Sequence, residues 1–410
     1  MTTPSTATQD AAAARGGTPA LAIGQVGLGS ITVPHRQGYR LYGQPVVAGY
    51  DPDPAARARM LADTPAATAH ESLTDLLADE RVGVVDLATP HHRATRLPVL
   101  EQIAAAGKPF LVQKPLAMSY AEALELVQVA EQAGVVGMVN QNMCFTPSAI
   151  ALEDALLRRR VVGEPSYAQL VAQYQFDTDY HPWFGKDERW WTAGLSIHHL
   201  GLLQLLFGPP LSVHALTGHD VAQPGVTSDG WGHLALRYPS GLQLVLVSTG
   251  TYYGTEPVRH GDEAVWVQGP DGLVDWRPEG DVVVSRRIDG GGDVERRSIS
   301  PHTRGTWFPH AFGLTMAHFR QALAAGQTPL CSVQDNLNVM AVLEATYRSG
   351  AEHRVVEIPE VMGERYDPDY GTGWAHGFNT WQPPHPVDDE ASAGARVDAA
   401  PGAAVEEAVA

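Results

Sequence analysis

The chain has 410 residues, 44% of them hydrophobic and 18% charged, with a formal net charge of −18. That length is too great for one ordinary core and suits two domains. The acidic balance argues against nucleic acid or an anionic membrane as a partner, and no apolar run is long enough to span a bilayer. Cys144 and Cys331 make neither a disulfide framework nor a CxxC metal site, which fits a reducing cytoplasm.

The first stretch, residues 1–19, lacks the basic start and apolar core of a secretory signal and reads as a disordered arm. From residue 20 the texture changes. LAIGQVGLG is a short apolar run ending in glycines, as expected of a buried parallel strand and its turn. PVVAGYD, GVVDLATP and PFLVQKP repeat the pattern, with helical periodicity between them, and VVGMVNQN closes the series. Strands alternating with helices predict a doubly wound parallel sheet of the Rossmann type over residues 20–141.

Residues 142–360 read differently. A helix over about Ser148 to Arg160 precedes longer alternating strands: SYAQLVAQYQF, GHLALRYPSGLQLVLVSTGTYY and EAVWVQGPDGLVDW. The PSG turn marks a hairpin. FGLTMAHFRQALAAG and SVQDNLNVMAVLEATYRSG follow as helices. The expectation is an α+β domain with a large, open, mostly antiparallel sheet covered by helices on one face. Residues 361–410 begin as an aromatic-rich arm and end in a low-complexity acidic tail.

GLGSIT follows the first strand. Gly27 permits a tight turn and Gly29 lets the backbone approach a pyrophosphate, which then sits on the N-terminus of the next helix with Ser30 and Ile31 in the same turn. Thr32 stands where a third small residue is usual. Asp51 ends the second strand about twenty residues on, placed to bind ribose hydroxyls. An acid there repels a 2′-phosphate, so NAD is the expected cofactor and NADP the second choice. Thr89 and Pro90 end the third strand at the edge that faces a cofactor. His91 and His92 come next; they suit a ribose, a substrate or a plain loop. A histidine pair without a third ligand predicts no metal site.

The run AGKPFLVQKPLAMSYAEALELVQVAEQAG resembles a characteristic segment of the Gfo/Idh/MocA oxidoreductases, AGKHVLCEKP and its helix. The GLG turn, the TP dipeptide and LCSVQDNLNVMAVLEATYRSG agree with it, in order over roughly residues 20 to 360. The resemblance implies a Rossmann domain joined to an α/β domain whose open sheet builds a homodimer or homotetramer. It implies nicotinamide-dependent chemistry on a small polyhydroxylated compound such as a sugar, a cyclitol or a glycoside. By the same resemblance Lys114 is the family lysine beside the nicotinamide and the reacting hydroxyl, with Gln113 in place of the usual Glu.

The stretch IHHLGLLQLLFG aligns with the family's IHHLDLLRWLFG, so that His198 takes the catalytic position and His199 a variable one facing the core or the cofactor. Imidazole is the usual group for moving a hydroxyl proton near neutral pH. The family's Asp one helical turn before the histidine is here Gly194, and Gly201 replaces a later Asp. Three readings follow: a dehydrogenase with a rearranged proton relay, a redox-neutral enzyme that recycles bound NAD, or a dinucleotide-binding sensor. The preceding YHPWFGKDERWW is dense in groups that recognise sugars. Tyr180, His181, Lys186, Arg189 and Trp191 are the substrate candidates, with Lys114, His198 and His199 beside them. Asp187 or His181 are candidates for a substitute acid or base.

Overall fold

The computed structural model describes residues 21–176, 186–223, 225–252, 262–288 and 293–387. Its first part is a six-stranded sheet in the order β3-β2-β1-β4-β5-β6. The strands are β1 (Ala22–Val26), β2 (Val46–Tyr50), β3 (Thr68–His70), β4 (Val82–Leu87), β5 (Phe110–Gln113) and β6 (Gly137–Asn140). Every pairing among them is parallel. The helices α1 (Thr32–Leu41), α2 (Pro54–Asp63), α3 (Leu73–Ala78), α4 (Arg93–Ala105) and α5 (Tyr120–Ala133) make the crossovers. The central strands are mostly apolar because helices cover both faces, with Gln25 and Asp86 as buried polar exceptions. The edge strand β3 has only three residues, one exposed and two half-buried, so it carries no such apolar signal.

The second part is a nine-stranded sheet in the order β14-β13-β12-β11-β7-β10-β9-β8-β15. In chain order its strands are β7 (Tyr167–Gln173), β8 (Ser212–Gly218), β9 (Trp231–Arg237), β10 (Gln243–Thr249), β11 (Asp262–Gly269), β12 (Gly272–Trp276), β13 (Val282–Arg287), β14 (Val294–Ile299) and β15 (Val356–Glu357). Only the β7–β10 pair is parallel; the rest are antiparallel. The PSG hairpin joins β9 to β10, and Gly241 takes the left-handed conformation at φ +89° that the turn requires. Alternation is clean in β8–β10: one side faces the core, the other leaves Leu216, Ala235 and Val245 outside.

The helices α6 (Pro147–Glu153), α7 (Ile197–Phe207), α8 (His310–Ala325) and α9 (Val333–Glu352) pack between the two sheets and on the inner face of the second. Ser332 and Asp335 start α9 with a reciprocal capping box. One continuous apolar core runs from Ile23 in β1 to Val282 in β13. Helices α1 and α8 cross at two glycines. A Cβ on Gly313 would lie 2.3 Å from the Gly38 carbonyl oxygen, and one on Gly38 would lie 2.4 Å from that of Pro309. The Gln44 side chain donates to the Gly313 carbonyl at 2.9 Å, which fastens the crossing.

The aromatic arm packs. Trp381 is buried against Phe145 and His318, the Arg158 guanidinium lies over the Trp374 ring, and Val387 N–H reaches back to the Leu41 carbonyl. Among the described residues no helix is long and apolar enough to cross a membrane.

Candidate active site

The carboxyl ends of β1, β2, β4 and β5 form one edge, and the strand order reverses between β1 and β4, where a sheet of this kind offers its cleft to a ligand. Gly27 turns the chain after β1 at φ +85°, and a Cβ on it would strike the Ala88 carbonyl at 2.7 Å. Nothing lies within 4 Å of a Cβ built on Gly29. That open space above a helix N-terminus is what a dinucleotide pyrophosphate needs. Ser30 is exposed beside it and Ile31 caps α1. Thr32 fits the third position by folding its hydroxyl back onto the Gly29 carbonyl at 2.7 Å. The Asp51 carboxylate accepts the Leu28 N–H at 2.8 Å and the Asp53 N–H at 2.9 Å, and so faces the glycine turn.

Thr89 and Lys114 end adjacent strands, and a buried arginine ties them together. Arg96, in α4, donates to the Thr89 carbonyl at 2.7 Å, to those of Gln113 and Leu116 at 2.9 Å each, and to that of Pro115. Pro90 is exposed just beyond. The Lys114 ammonium donates to the Gly194 carbonyl at 2.6 Å. Burial pulls its pKa down to about 7.

Gly194 lies in a π-helical turn, Thr192–Ser196, that runs straight into α7. A π turn widens the helix by one residue and is often found at functional sites. Asp229 fixes its start by accepting from the Trp190 N–H at 2.9 Å, the Thr192 N–H at 2.8 Å and the Thr192 hydroxyl at 2.7 Å. His198 follows Gly194 by four residues, hence on the same helix face. It is 5% exposed and sits edge-on to Trp307. The Lys114 hydrogen bond and His198 therefore lie within four residues of each other on one helical segment.

Residues 21–141 match the model of the GFO/IDH/MocA oxidoreductase family, NAD-binding Rossmann fold, and residues 172–358 match that family's C-terminal alpha/beta domain. The chain belongs to the GFO/IDH/MocA oxidoreductases. Its N-terminal part is thus an NAD-binding Rossmann domain. A D-apiose dehydrogenase of Paraburkholderia graminis is 27% identical over 301 residues, 70% of this chain and 76% of that protein. An inositol 2-dehydrogenase of Rubrobacter xylanophilus is 25% identical and covers 83% of this chain and 95% of its own. The fold matches an Agrobacterium radiobacter oxidoreductase solved with NAD+, L-tartaric acid and magnesium, at a TM-score of 0.73 and 24% identity over 83% of this chain and 99% of that one. Levoglucosan dehydrogenase bound to NADH and levoglucosan gives 0.72 at 18% identity over the same shares.

Several side chains of this oxidoreductase that the sequence offered as substrate contacts are engaged elsewhere. His199 is buried and bonds Glu263 at 2.6 Å, and Glu263 also accepts from the Tyr174 hydroxyl. Trp191 is fully buried, its indole N–H on Ser248 at 2.8 Å. Arg189 holds Glu344 through two bonds of 2.7 and 2.9 Å, lies over the Tyr347 ring and caps the Met118 carbonyl. The polar groups of these three residues are thus engaged by partners within the protein. Lys186 is exposed; Tyr180 and His181 lie outside the described residues.

His91 and His92 do reach the cleft's rim, where Asp187 meets both, at 3.1 and 3.4 Å. Burial, with the charges of Arg96, His92 and Lys114, takes the His91 pKa down to about 3. Gln113 is explained by its neighbours. Its side-chain Oε1 accepts the Lys114 backbone N–H at 2.8 Å, while its side-chain nitrogen faces His35 Nε2 at 3.4 Å. His35 Nδ1 donates to Asp86 at 2.9 Å, where Gln25 and Tyr39 also donate. A Cβ at Gly201 would meet the end of the Gln141 side chain at 2.7 Å, so Gln141 occupies the space beside this glycine. Sequence reasoning missed Arg96 and Asp229. A lone arginine in a helix and an aspartate before a strand carry no motif; only the carbonyls and N–H groups they serve reveal them.

Proposed function

We propose that the protein is a dehydrogenase of a sugar, a cyclitol or a related polyhydroxylated compound. The observation that carries this is the convergence of Lys114, through its bond to the Gly194 carbonyl, on the helix turn that presents His198. The names of its relatives, dehydrogenases of apiose and inositol, support the substrate class.

Bound NAD supplies the hydride acceptor. Gly27, Gly29, Ser30 and Ile31 admit its pyrophosphate, Asp51 takes the ribose hydroxyls, and Thr89, Pro90 and Gln113 line the nicotinamide end. Lys114 donates to the reacting oxygen and stabilises the negative charge that develops there. His198 takes the hydroxyl proton. The Gly194 carbonyl holds Lys114 in place of the usual carboxylate, so the lysine works without a formal counter-charge at its side. Oligomerisation through the open face of the nine-stranded sheet completes the reading.

The test is absorbance at the reduced-nicotinamide band with NAD or NADP and a panel of pentoses, hexoses and cyclitols. A substrate-dependent rise is expected, greater with NAD. His198→Ala should lower kcat by about a hundredfold or more while dinucleotide affinity stays within about twofold. Tight NAD binding with no net reduction across the panel would replace this reading with a redox-neutral one; undiminished turnover in His198→Ala would remove that residue from the chemistry.

A further inference from the structure

The histidine pair after β4 lacks a third ligand in the sequence, and the fold supplies one. Asp187 arrives from a segment 95 residues further on and places one carboxylate oxygen 3.1 Å from His91 Nε2 and the other 3.4 Å from His92 Nε2. The three ligating atoms all lie within 4.8 Å of one another. A tetrahedral zinc site with bonds of about 2.0–2.1 Å has ligand–ligand edges of roughly 3.3 Å, so an ion fits between these groups with small side-chain rotations.

The backbone on both sides is held. Arg96 pins the Thr89 carbonyl two residues before His91. Arg189, two residues after Asp187, is locked on Glu344 and Met118. Ligands fixed by such supporting contacts need little reordering to close on a metal.

We propose that His91, His92 and Asp187 form a binding site for a divalent transition ion of the zinc class at the rim of the NAD cleft. Two imidazoles and one carboxylate leave a fourth coordination position open. Donor type sets the class. Lys114 and Arg96 are cationic neighbours of His91 and oppose any dication alike, so the donors decide, and magnesium prefers an all-oxygen site. Imidazole nitrogen donors favour zinc, cobalt or nickel instead. The ion would bridge the loop after β4 to the segment that follows β7, so it joins the two parts of the chain across the cleft. This site does not depend on the dehydrogenase reading, because metal binding is measured without turnover.

The experiment uses the full-length chain without an affinity tag, stripped with a chelator and titrated with zinc by calorimetry and with cobalt by visible absorption. One equivalent per chain is expected, with a cobalt d–d band of low coordination number. His92→Ala and Asp187→Ala should each weaken binding by about tenfold or more; His302→Ala, at an exposed histidine elsewhere, should not. Circular dichroism and NAD binding report that each variant is folded, and His92, with half of its side chain exposed, is the substitution the fold tolerates best. No saturable zinc or cobalt binding, or binding unchanged in both ligand variants, would overturn the site and leave a hydrogen-bonded His–Asp clasp. Magnesium bound with the same dependence on His92 and Asp187 would overturn the assigned class of ion.

Discussion

Lys114 is half-buried at the end of a strand with a carbonyl, and no carboxylate among the described residues, as its hydrogen-bond partner. Burial disfavours its charged form and brings its pKa from 10.5 down to about 7. The unfolded chain therefore binds a proton that the folded one lacks between about pH 7 and 10.5, and folding stability rises with pH across that window. Lys114→Met removes this penalty. The variant should be more stable than the parent at pH 7, by on the order of 1–4 kcal/mol, and inactive; a variant less stable at pH 7 would contradict the penalty. Gln113 makes a second residue-scale case. A Glu there offers acceptors only, so the amide N–H that faces His35 Nε2 would be lost while His35 still donates to Asp86. Gln113→Glu should therefore lower Tm, and an unchanged Tm would refute the pairing. The lysine was legible in the sequence through its KP motif; the carbonyl that replaces the family acid was not, since any residue can offer one.

The elements themselves were mostly legible because their burial is regular. Buried strands read as apolar runs, and β8–β10 read as alternation. The short edge strand β3 escaped because it buries too little to leave a pattern. The π turn before α7 escaped because five residues are too few for its altered spacing to leave a pattern. The crossing of α1 and α8 escaped too, since Gly38 and Gly313 are 275 positions apart and each looks like a helix-weakening residue by itself. Gly313→Ala should cost about 1–3 kcal/mol, as overpacking a tight contact does, measured by urea unfolding. A change within 0.5 kcal/mol would show that the helices yield there.

For the whole molecule, the division into a Rossmann part and a sheet-and-helix part followed from composition and strand spacing. What joins them did not, because it rests on contacts between distant segments: the glycine crossing, Lys114 on the Gly194 carbonyl, and Asp187 against the histidines. The outer face of the nine-stranded sheet is a further whole-molecule feature. Leu216 is 53% exposed, Val245 37% and Tyr167 43%. These residues lie within one sheet, on the adjacent strands β7 and β10 and on β8, which β9 separates from β10. An apolar face of that kind is a place for a second copy to bind. Leu216→Glu with Val245→Lys should shift the molecular mass by light scattering to that of a single chain at micromolar concentration; an unchanged assembly would place the interface elsewhere.

The glycine crossing also limits how such a protein can be recombined. A chimera that takes its cofactor half from one relative and its substrate half from another inherits one side of the contact from each parent. Wherever the second parent carries a larger residue opposite Gly38, the graft would meet the Gly38 backbone before the cleft could close to its native width. Exchange of substrate halves is then governed by a spot remote from any substrate, and α1 must travel with α8.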